Sequence, residues 1–353
     1  MDQRLKNLIS RMHCEELDGL IVNSEANISY LTRHPSRDSR LLVSKKKIVY
    51  FTDPRYTEEA KKQLKGISIR NTGSAPPFPT IAQTCRKLRL KRVGFEEKSV
   101  SYAEYRCLKK ELGKKPALVA TSDLIEEMRE LKDAQELGRI RKALVITAKT
   151  LKFAGKIIKS GAKETEVAAR LEEFMRLAGG SGPSFKTIVA SGGNSGFPHH
   201  IPGARKIGRN DLVLVDLGVD YQGYKSDLTR IFFLGRIKHS AARIYEILLE
   251  AQRRAISRVK PGVQISEIDA AARDYISQKG FGPNFSHSLG HGVGRQIHEN
   301  PKISSKADGI LKPGMVLTIE PAIYLPGKFG IRIEDMVLVT KKGYEVLSVS
   351  VNK

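Results

Sequence analysis

Four apolar runs in the second half of this chain each meet a carboxylate, and that arrangement restricts the fold more than any other feature. Asp216 ends Leu212-Val213-Leu214-Val215, and Asp227 opens Leu228-Thr229-Arg230-Ile231-Phe232-Phe233. Glu320 closes Met315-Val316-Leu317-Thr318-Ile319, while Glu334 follows Ile331-Arg332-Ile333 and leads into Met336-Val337-Leu338-Val339. Runs this short and continuous read as strands buried on both faces. A carboxylate carried into such surroundings is costly unless it is paired, hydrogen-bonded or metal-bound. No comparable set of lysines or arginines interleaves the runs to pair all four. His291, within Gly290-His291-Gly292-Val293-Gly294, adds one imidazole on a backbone that permits close approach. The economical reading is one or two divalent cations held by Asp216, Asp227, His291, Glu320 and Glu334.

The intervals support a shared site. Leu217 to Ser226, with glycines at both shoulders, reads as a β-hairpin turn that sets Asp216 beside Asp227. Glu320 and Glu334 repeat the arrangement around Tyr324-Leu325-Pro326-Gly327-Lys328-Phe329-Gly330. Four carboxylates and one histidine suit two bridged ions of the manganese, cobalt, iron or zinc type better than magnesium or calcium. A pair of ions roughly 3.5–4 Å apart is the recurring device of two-metal hydrolases and aminopeptidases.

The segments Val215-Asp216-Leu217-Gly218, Ser226-Asp227-Leu228-Thr229-Arg230, Gly290-His291-Gly292-Val293-Gly294, Ile319-Glu320-Pro321 and Arg332-Ile333-Glu334-Asp335 resemble the successive signatures of the pita-bread metallopeptidases. Thr187 to Ser195, Pro198-His199-His200 and His298-Glu299-Asn300-Pro301 extend the likeness, which is greatest to the Xaa-Pro peptidases, prolidase and aminopeptidase P. The resemblance implies a dinuclear-metal exopeptidase that hydrolyses the bond between an amino-terminal residue and proline. It implies manganese or cobalt as the ions, with zinc or iron as alternatives, short proline-containing peptides as substrates, and a homodimer. Glu320, itself a ligand, would move the water's proton to the leaving proline nitrogen. His199 would hydrogen-bond the substrate from the cleft wall, and His298 would donate to the developing oxyanion. His287 would line the pocket for the proline ring. Arg332, two residues before Glu334, would orient that carboxylate or the substrate's own carboxylate, or balance the cluster's charge. His200 is expected to be structural. Two departures touch the substrate side: Ala322 stands where a glycine is common, and Gly196-Phe197 replaces a small aliphatic pair.

Competing readings are a methionine aminopeptidase-like enzyme and a non-enzymatic binding protein on the same fold. The front part of the chain argues against the first, and the intact ligand quintet with His199 and His298 against the second.

A length of 353 residues suits two domains better than one core. An α/β (α+β) fold is expected, with a small amino-terminal α/β domain over 1–125 and a pita-bread domain with antiparallel sheet over 126–353. In the front part Leu20–Val22, Leu41–Val43, Ile48–Phe51, Val93–Phe95 and Ala117–Val119 read as strands. Arg55–Leu64, Ile81–Leu90 and Ala103–Leu112 read as helices, the last with a capping box of Ser101 and Glu104. A long helix is expected from about Asp133 to Ser160. Gly161 to Arg170 then parallels Gly262 to Ala271, each following a helix that ends in lysine, which suggests a pseudo-twofold repeat with the site between its halves.

The remaining composition narrows partners. Met1 to Asn7 carries no apolar core of signal-peptide length, and no stretch approaches a membrane span, so a cytoplasmic protein is expected. Cys14, Cys85 and Cys107 read as reduced thiols that pack as small hydrophobes. Lys and Arg number 61 against 38 Asp and Glu, for a net charge of +23. The basic residues fall in short groups such as Lys45-Lys46-Lys47 and Lys114-Lys115, with no basic arm or aromatic stacking motif. They read as solvated surface and not as a nucleic-acid site.

Overall fold

The computed structural model describes residues 2–348. The chain divides into two compact units, 1–129 and 130–353. The first is an α/β layer unit, with helices α1 (Gln3–Cys14), α2 (Glu25–Thr32), α3 (Pro54–Gln63), α4 (Phe78–Lys87) and α5 (Tyr102–Leu112). Its strands are β1 (Gly19–Val22), β2 (Arg40–Ser44), β3 (Ile48–Thr52), β4 (Ser68–Asn71), β5 (Arg92–Glu96) and β6 (Ala117–Thr121). They form one mixed sheet in the order β4-β3-β2-β1-β5-β6. The Ser101 hydroxyl accepts from Glu104 N while the Glu104 carboxylate accepts from Ser101 N, so the capping box forms. Cys85 packs in the core, whereas Cys14 and Cys107 are exposed, so small-hydrophobe packing holds for one thiol of the three. Periodicity gave no warning of this, because Cys14 ends its helix and Cys107 lies on an outward face.

The short helix α6 (Glu126–Glu130) leads into α7 (Ala134–Ile157), which Asp133 and Glu136 cap in the same reciprocal way. Next come α8 (Glu164–Leu177), β7 (Gly182–Pro183), β8 (Ile188–Ser191), β9 (Leu212–Leu217), β10 (Val219–Tyr221), β11 (Tyr224–Lys225) and β12 (Leu228–Phe233). The second half runs through α9 (His239–Arg258), α10 (Ile265–Gln278), β13 (Gly290–Gly292), β14 (Glu299–Ile303) and β15 (Val316–Ile319). It ends with β16 (Ala322–Leu325), β17 (Phe329–Arg332), β18 (Asp335–Val339) and β19 (Tyr344–Val346). The antiparallel sheets β12-β9-β8 and β14-β13-β15-β18-β19 carry the four carboxylate-bearing runs.

Each run is apolar throughout because both of its faces are covered. Val189, Val213, Val215, Val316, Met336 and Leu338 pack in one core with residues of α7 and α8. Ala190, Leu212, Leu214, Leu317, Val337 and Val339 pack in a second core with residues of α9 and α10. Helix pairs thus cover a central β layer from either side, the pita-bread arrangement expected from the sequence.

The halves repeat one another in their hydrogen bonds. Gly161 N donates to Ile207 O at 2.8 Å and Gly262 N to Leu311 O at 2.9 Å. Isolated bridges join Lys163 to Lys206 and Gln264 to Ile310. Gly161 and Gly262 both adopt positive φ, 90° and 82°, a conformation that favours glycine.

Candidate metal centre

Strand register gathers the carboxylates. Asp216 lies in β9 opposite Thr229 of β12, and Asp227 immediately precedes β12. Glu320 directly follows β15, whose Ile319 pairs with Asp335 of β18, so Glu334 stands beside it. The β10–β11 turn is made by Gln222 and Gly223, both at positive φ, as a tight hairpin of primed type requires. At Gly218 a Cβ would lie 1.8 Å from the Ser226 carbonyl oxygen, so only glycine lets the strands cross there. His291 sits in β13 at an irregularity in its pairing with β14.

One oxygen each of Asp227 and Glu334 and a ring nitrogen of His291 lie within 4.8 Å of one another. His291 Nε2 is 3.3 Å from Glu320 Oε1 and 3.6 Å from Asp227 Oδ2. Its Nδ1 donates to the Gly292 carbonyl at 3.0 Å, which leaves Nε2 facing the carboxylates. Thr318 Oγ1 donates to Glu320 Oε1 at 3.1 Å and accepts from His291 N at 3.0 Å. Thr229 Oγ1 donates to Glu334 Oε2 at 2.8 Å. From behind, the buried Gln252 of α9 donates to Ile319 O at 2.8 Å, steadying the strand end that carries Glu320.

Asp216 is held differently from the other four. Arg332 is buried, and its guanidinium donates to Asp216 Oδ2 at 2.5 Å, Thr229 Oγ1 at 3.1 Å, the Tyr324 hydroxyl at 2.5 Å and Pro198 O at 3.3 Å. Among the described residues its hydrogen bonds reach Asp216 and not Glu334. Glu334 is reached through Thr229, whose hydroxyl accepts from Arg332 Nε and donates to Glu334 Oε2. Arg230 is the other buried cation on these strands. It pairs with Asp335 at 2.9 Å and donates to the Glu334 and Thr229 carbonyls, so it fixes the backbone beside the ligands.

The cluster is short of positive charge. Burial, followed by the charges of Glu334, Asp216 and Glu320, pushes the Asp227 carboxyl well above its ordinary range. Burial, then the charges of Glu320 and Asp216, does the same to Glu334. Burial also raises Asp216, against the pull of Arg332. At Glu320 burial is outweighed by the hydrogen bond and charge of His291, which hold it below the usual value. His291 in turn is raised: burial lowers it, but Glu320 outweighs burial. Asp216 Oδ1 and Glu334 Oε1 are buried with no hydrogen-bond partner. Orphaned carboxylate oxygens beside an imidazole whose Nε2 faces Glu320 and Asp227 fit hard-to-borderline divalent cations.

The remaining histidines differ in setting. The His298 ring packs edge-on against His291, centroids 4.4 Å apart, and burial with the His291 charge lowers it. His287 is fixed by Ser288 O at 2.8 Å and the Tyr324 hydroxyl at 3.2 Å, edge-on to Phe285, and burial lowers it too. His199 is exposed, and its charge acts on His298. His200 points inward and meets Glu164 Oε2 at 2.8 Å. Phe197 is 64% exposed and Ala322 is buried opposite Arg332. Sequence reasoning passed over Thr229, Thr318, Tyr324 and Gln252. Both threonines lie two residues from a ligand on a strand, so alternation alone puts their hydroxyls on the ligand face.

Residues 138–341 match metallopeptidase family M24, and residues 4–131 match the creatinase/prolidase N-terminal domain. The chain is 36% identical over 349 residues to an Xaa-Pro dipeptidase from Pyrococcus horikoshii, covering 99% of this chain and 97% of the other. A solved Xaa-Pro dipeptidase from Bacillus anthracis superposes with a TM-score of 0.94 at 36% identity, covering 98% and 97%. An X-Pro aminopeptidase from Thermotoga maritima superposes with a TM-score of 0.89 at 34% identity, again covering 98% and 97%. The chain therefore belongs to metallopeptidase family M24 and is a metal-dependent peptide hydrolase.

Proposed function

We propose that this hydrolase removes an amino-terminal residue from proline, as an Xaa-Pro dipeptidase or Xaa-Pro aminopeptidase. The observation that carries the reading is the buried gathering of Asp227, His291 and Glu334, with Asp216 Oδ1 and Glu334 Oε1 lacking donors. Full-length similarity to proteins named for Xaa-Pro hydrolysis supports the substrate class. Asp216, Asp227, His291, Glu320 and Glu334 would hold two divalent ions, manganese or cobalt by family resemblance, with zinc or iron as the alternatives that the donor set equally suits. When bound, such ions supply Lewis acidity and activated water. The chain's own residues do the rest. Glu320, the one carboxyl of the cluster held below its ordinary range, accepts a proton and delivers it to the leaving proline nitrogen. His298, largely neutral because its ring is pushed down, donates a hydrogen bond to the substrate carbonyl oxygen as negative charge grows there. His199 binds the substrate from the cleft wall and His287 lines the proline pocket. Arg332 donates to Asp216 and holds that carboxyl in place. Specificity follows from proline itself, whose tertiary amide lacks the N–H that most peptidases grip. The working form is a homodimer in the cytoplasm.

The test is hydrolysis of Ala-Pro and Ala-Pro-Ala by metal-stripped protein, with and without manganese or cobalt. Metal-dependent cleavage of the dipeptide alone makes it a prolidase, and cleavage of the tripeptide makes it an aminopeptidase P. Silence on both with metal bound sinks the Xaa-Pro reading and brings forward a methionine substrate or a binding role.

A further inference from the structure

The two halves of the catalytic unit agree closely where α8 and α10 begin, except at one position. Glu164 N donates to Arg205 O at 3.1 Å, and at the equivalent place Ile265 N donates to Gly309 O at 3.0 Å. Ile265 is 3% exposed and belongs to the apolar core, but Glu164 is 0% exposed. The same scaffold accepts an apolar side chain there in one copy and encloses a carboxylate in the other. A buried carboxylate is retained only where it is fully hydrogen-bonded.

Glu164 meets that condition entirely through the segment from 191 to 203. Its Oε1 accepts from Ser191 N at 2.7 Å, Ser191 Oγ at 2.8 Å and Asn194 Nδ2 at 3.1 Å. Its Oε2 accepts from Asn194 Nδ2 at 3.1 Å, Gly203 N at 3.3 Å and His200 Nε2 at 2.8 Å. The same segment is tied on its other side, where Arg332 donates to Pro198 O and Gly330 N donates to Ser195 Oγ at 2.9 Å. Along it, Phe197, His199 and Ile201 are exposed while Pro198, His200 and Pro202 are half-buried. A slip of one residue would exchange the two adjacent histidines, turning His199 inward and His200 outward.

We propose that Glu164 is a positioning residue that sets this register and so presents His199 to the substrate. It touches no reacting atom; it works by holding His200 inward and the backbone at 191 and 203. The role assigned to His199 rests on the Xaa-Pro reading above, but the anchoring itself does not.

The test compares Glu164→Gln, His199→Ala and the double variant in full-length, metal-loaded protein, with Glu166→Gln on the exposed side of the same helix as control. In Glu164→Gln an amide NH2 replaces an acceptor facing Gly203 N and Asn194 Nδ2, so the register is lost while the volume is kept. Hydrogen exchange over residues 192–204 is expected to accelerate tenfold or more, with α9, α10 and the metal content unchanged. On Ala-Pro or Ala-Pro-Ala, kcat/KM should fall at least tenfold and by the same kcat and KM split as in His199→Ala. The double variant should be within threefold of His199→Ala, because both changes act through one group. Unchanged exchange, or losses that multiply in the double variant, would overturn the proposal. If Glu164→Gln does not fold, His200→Leu and Asn194→Ala remove the same anchors from the loop side and must give the same pattern. Should the wild type be silent on both peptides, the substrate reading fails, while the exchange measurement still decides whether Glu164 holds the loop.

Discussion

Thr229 stands two residues beyond Asp227, and its hydroxyl serves two masters: it donates to Glu334 Oε2 and accepts from Arg332 Nε. Thr229→Val keeps the shape and removes both bonds. Leaving buried charged partners short of one hydrogen bond costs about 1–3 kcal/mol, and loss of a group that orients a ligand weakens metal affinity about 10–100-fold. Urea denaturation and metal titration read the two effects, and unchanged affinity would reduce the hydroxyl to packing. A second residue-scale expectation concerns Cys85, whose thiol burial pushes up to about 12. At pH 8 a thiol reagent should modify Cys14 and Cys107 promptly and Cys85 only after unfolding. As the pH rises above 9, unfolding deprotonates this thiol while the folded state retains its proton, so stability falls by at most about 1.4 kcal/mol per unit. The candidate ligands were legible because each carboxylate interrupts an apolar run, a local signal. The partner of Arg332 was not, because it depends on how β17 meets β9, across more than a hundred residues.

Elements behave in the same way. The strands bearing carboxylates announce themselves by continuous apolar character, since helix pairs cover both of their faces. Helix α2 gives no such sign: Asn27, Ile28, Ser29, Tyr30 and Leu31 are buried in succession, so no apolar stripe of helical period exists. Strand β4 lies at the sheet edge, partly to fully exposed, and has no apolar alternation to read. The repeated helix openings were visible in sequence as Gly161 and Gly262, but the exchange of Glu164 for Ile265 acquires meaning only with the loop it holds. Gln252 shows an element acting on the site at a distance. Gln252→Leu leaves the Ile319 and Ile333 carbonyls without its amide, which costs about 1–3 kcal/mol, and lets the strand ends bearing Glu320 and Glu334 drift. Ser101→Ala, which removes the cap of α5 in the other unit, costs about 1 kcal/mol. Metal titration separates the two: affinity should fall in the first variant and stay unchanged in the second, and equal affinities would detach α9 from the site.

For the whole molecule, the charge-deficient cluster sets how stability depends on pH. In metal-stripped protein Asp216, Asp227 and Glu334 hold protons above the pH at which an unfolded chain releases them, because burial and their neighbours' charges disfavour ionisation. His291 is likewise raised, and its contribution is lost as pH rises through its folded value. In each case the folded state binds more protons than the unfolded state, so unfolding free energy falls as pH increases. Glu320 alone is lowered and acts in the opposite sense, losing its contribution as acid protonates it. Three carboxyls and an imidazole against one carboxyl predict that the stripped protein is more stable near pH 5 than near pH 8, as far as the cluster is concerned. Divalent ions reverse that slope. They require the ligands deprotonated, so binding releases protons and strengthens as pH rises. At a hundred times the dissociation constant they add about 2.7 kcal/mol. Urea melts at pH 5 and pH 8, with chelator and with manganese, measure both slopes. A stripped protein whose stability rises from pH 5 to pH 8, with no proton release on adding manganese, would mean that these carboxylates do not form an ion-binding cluster.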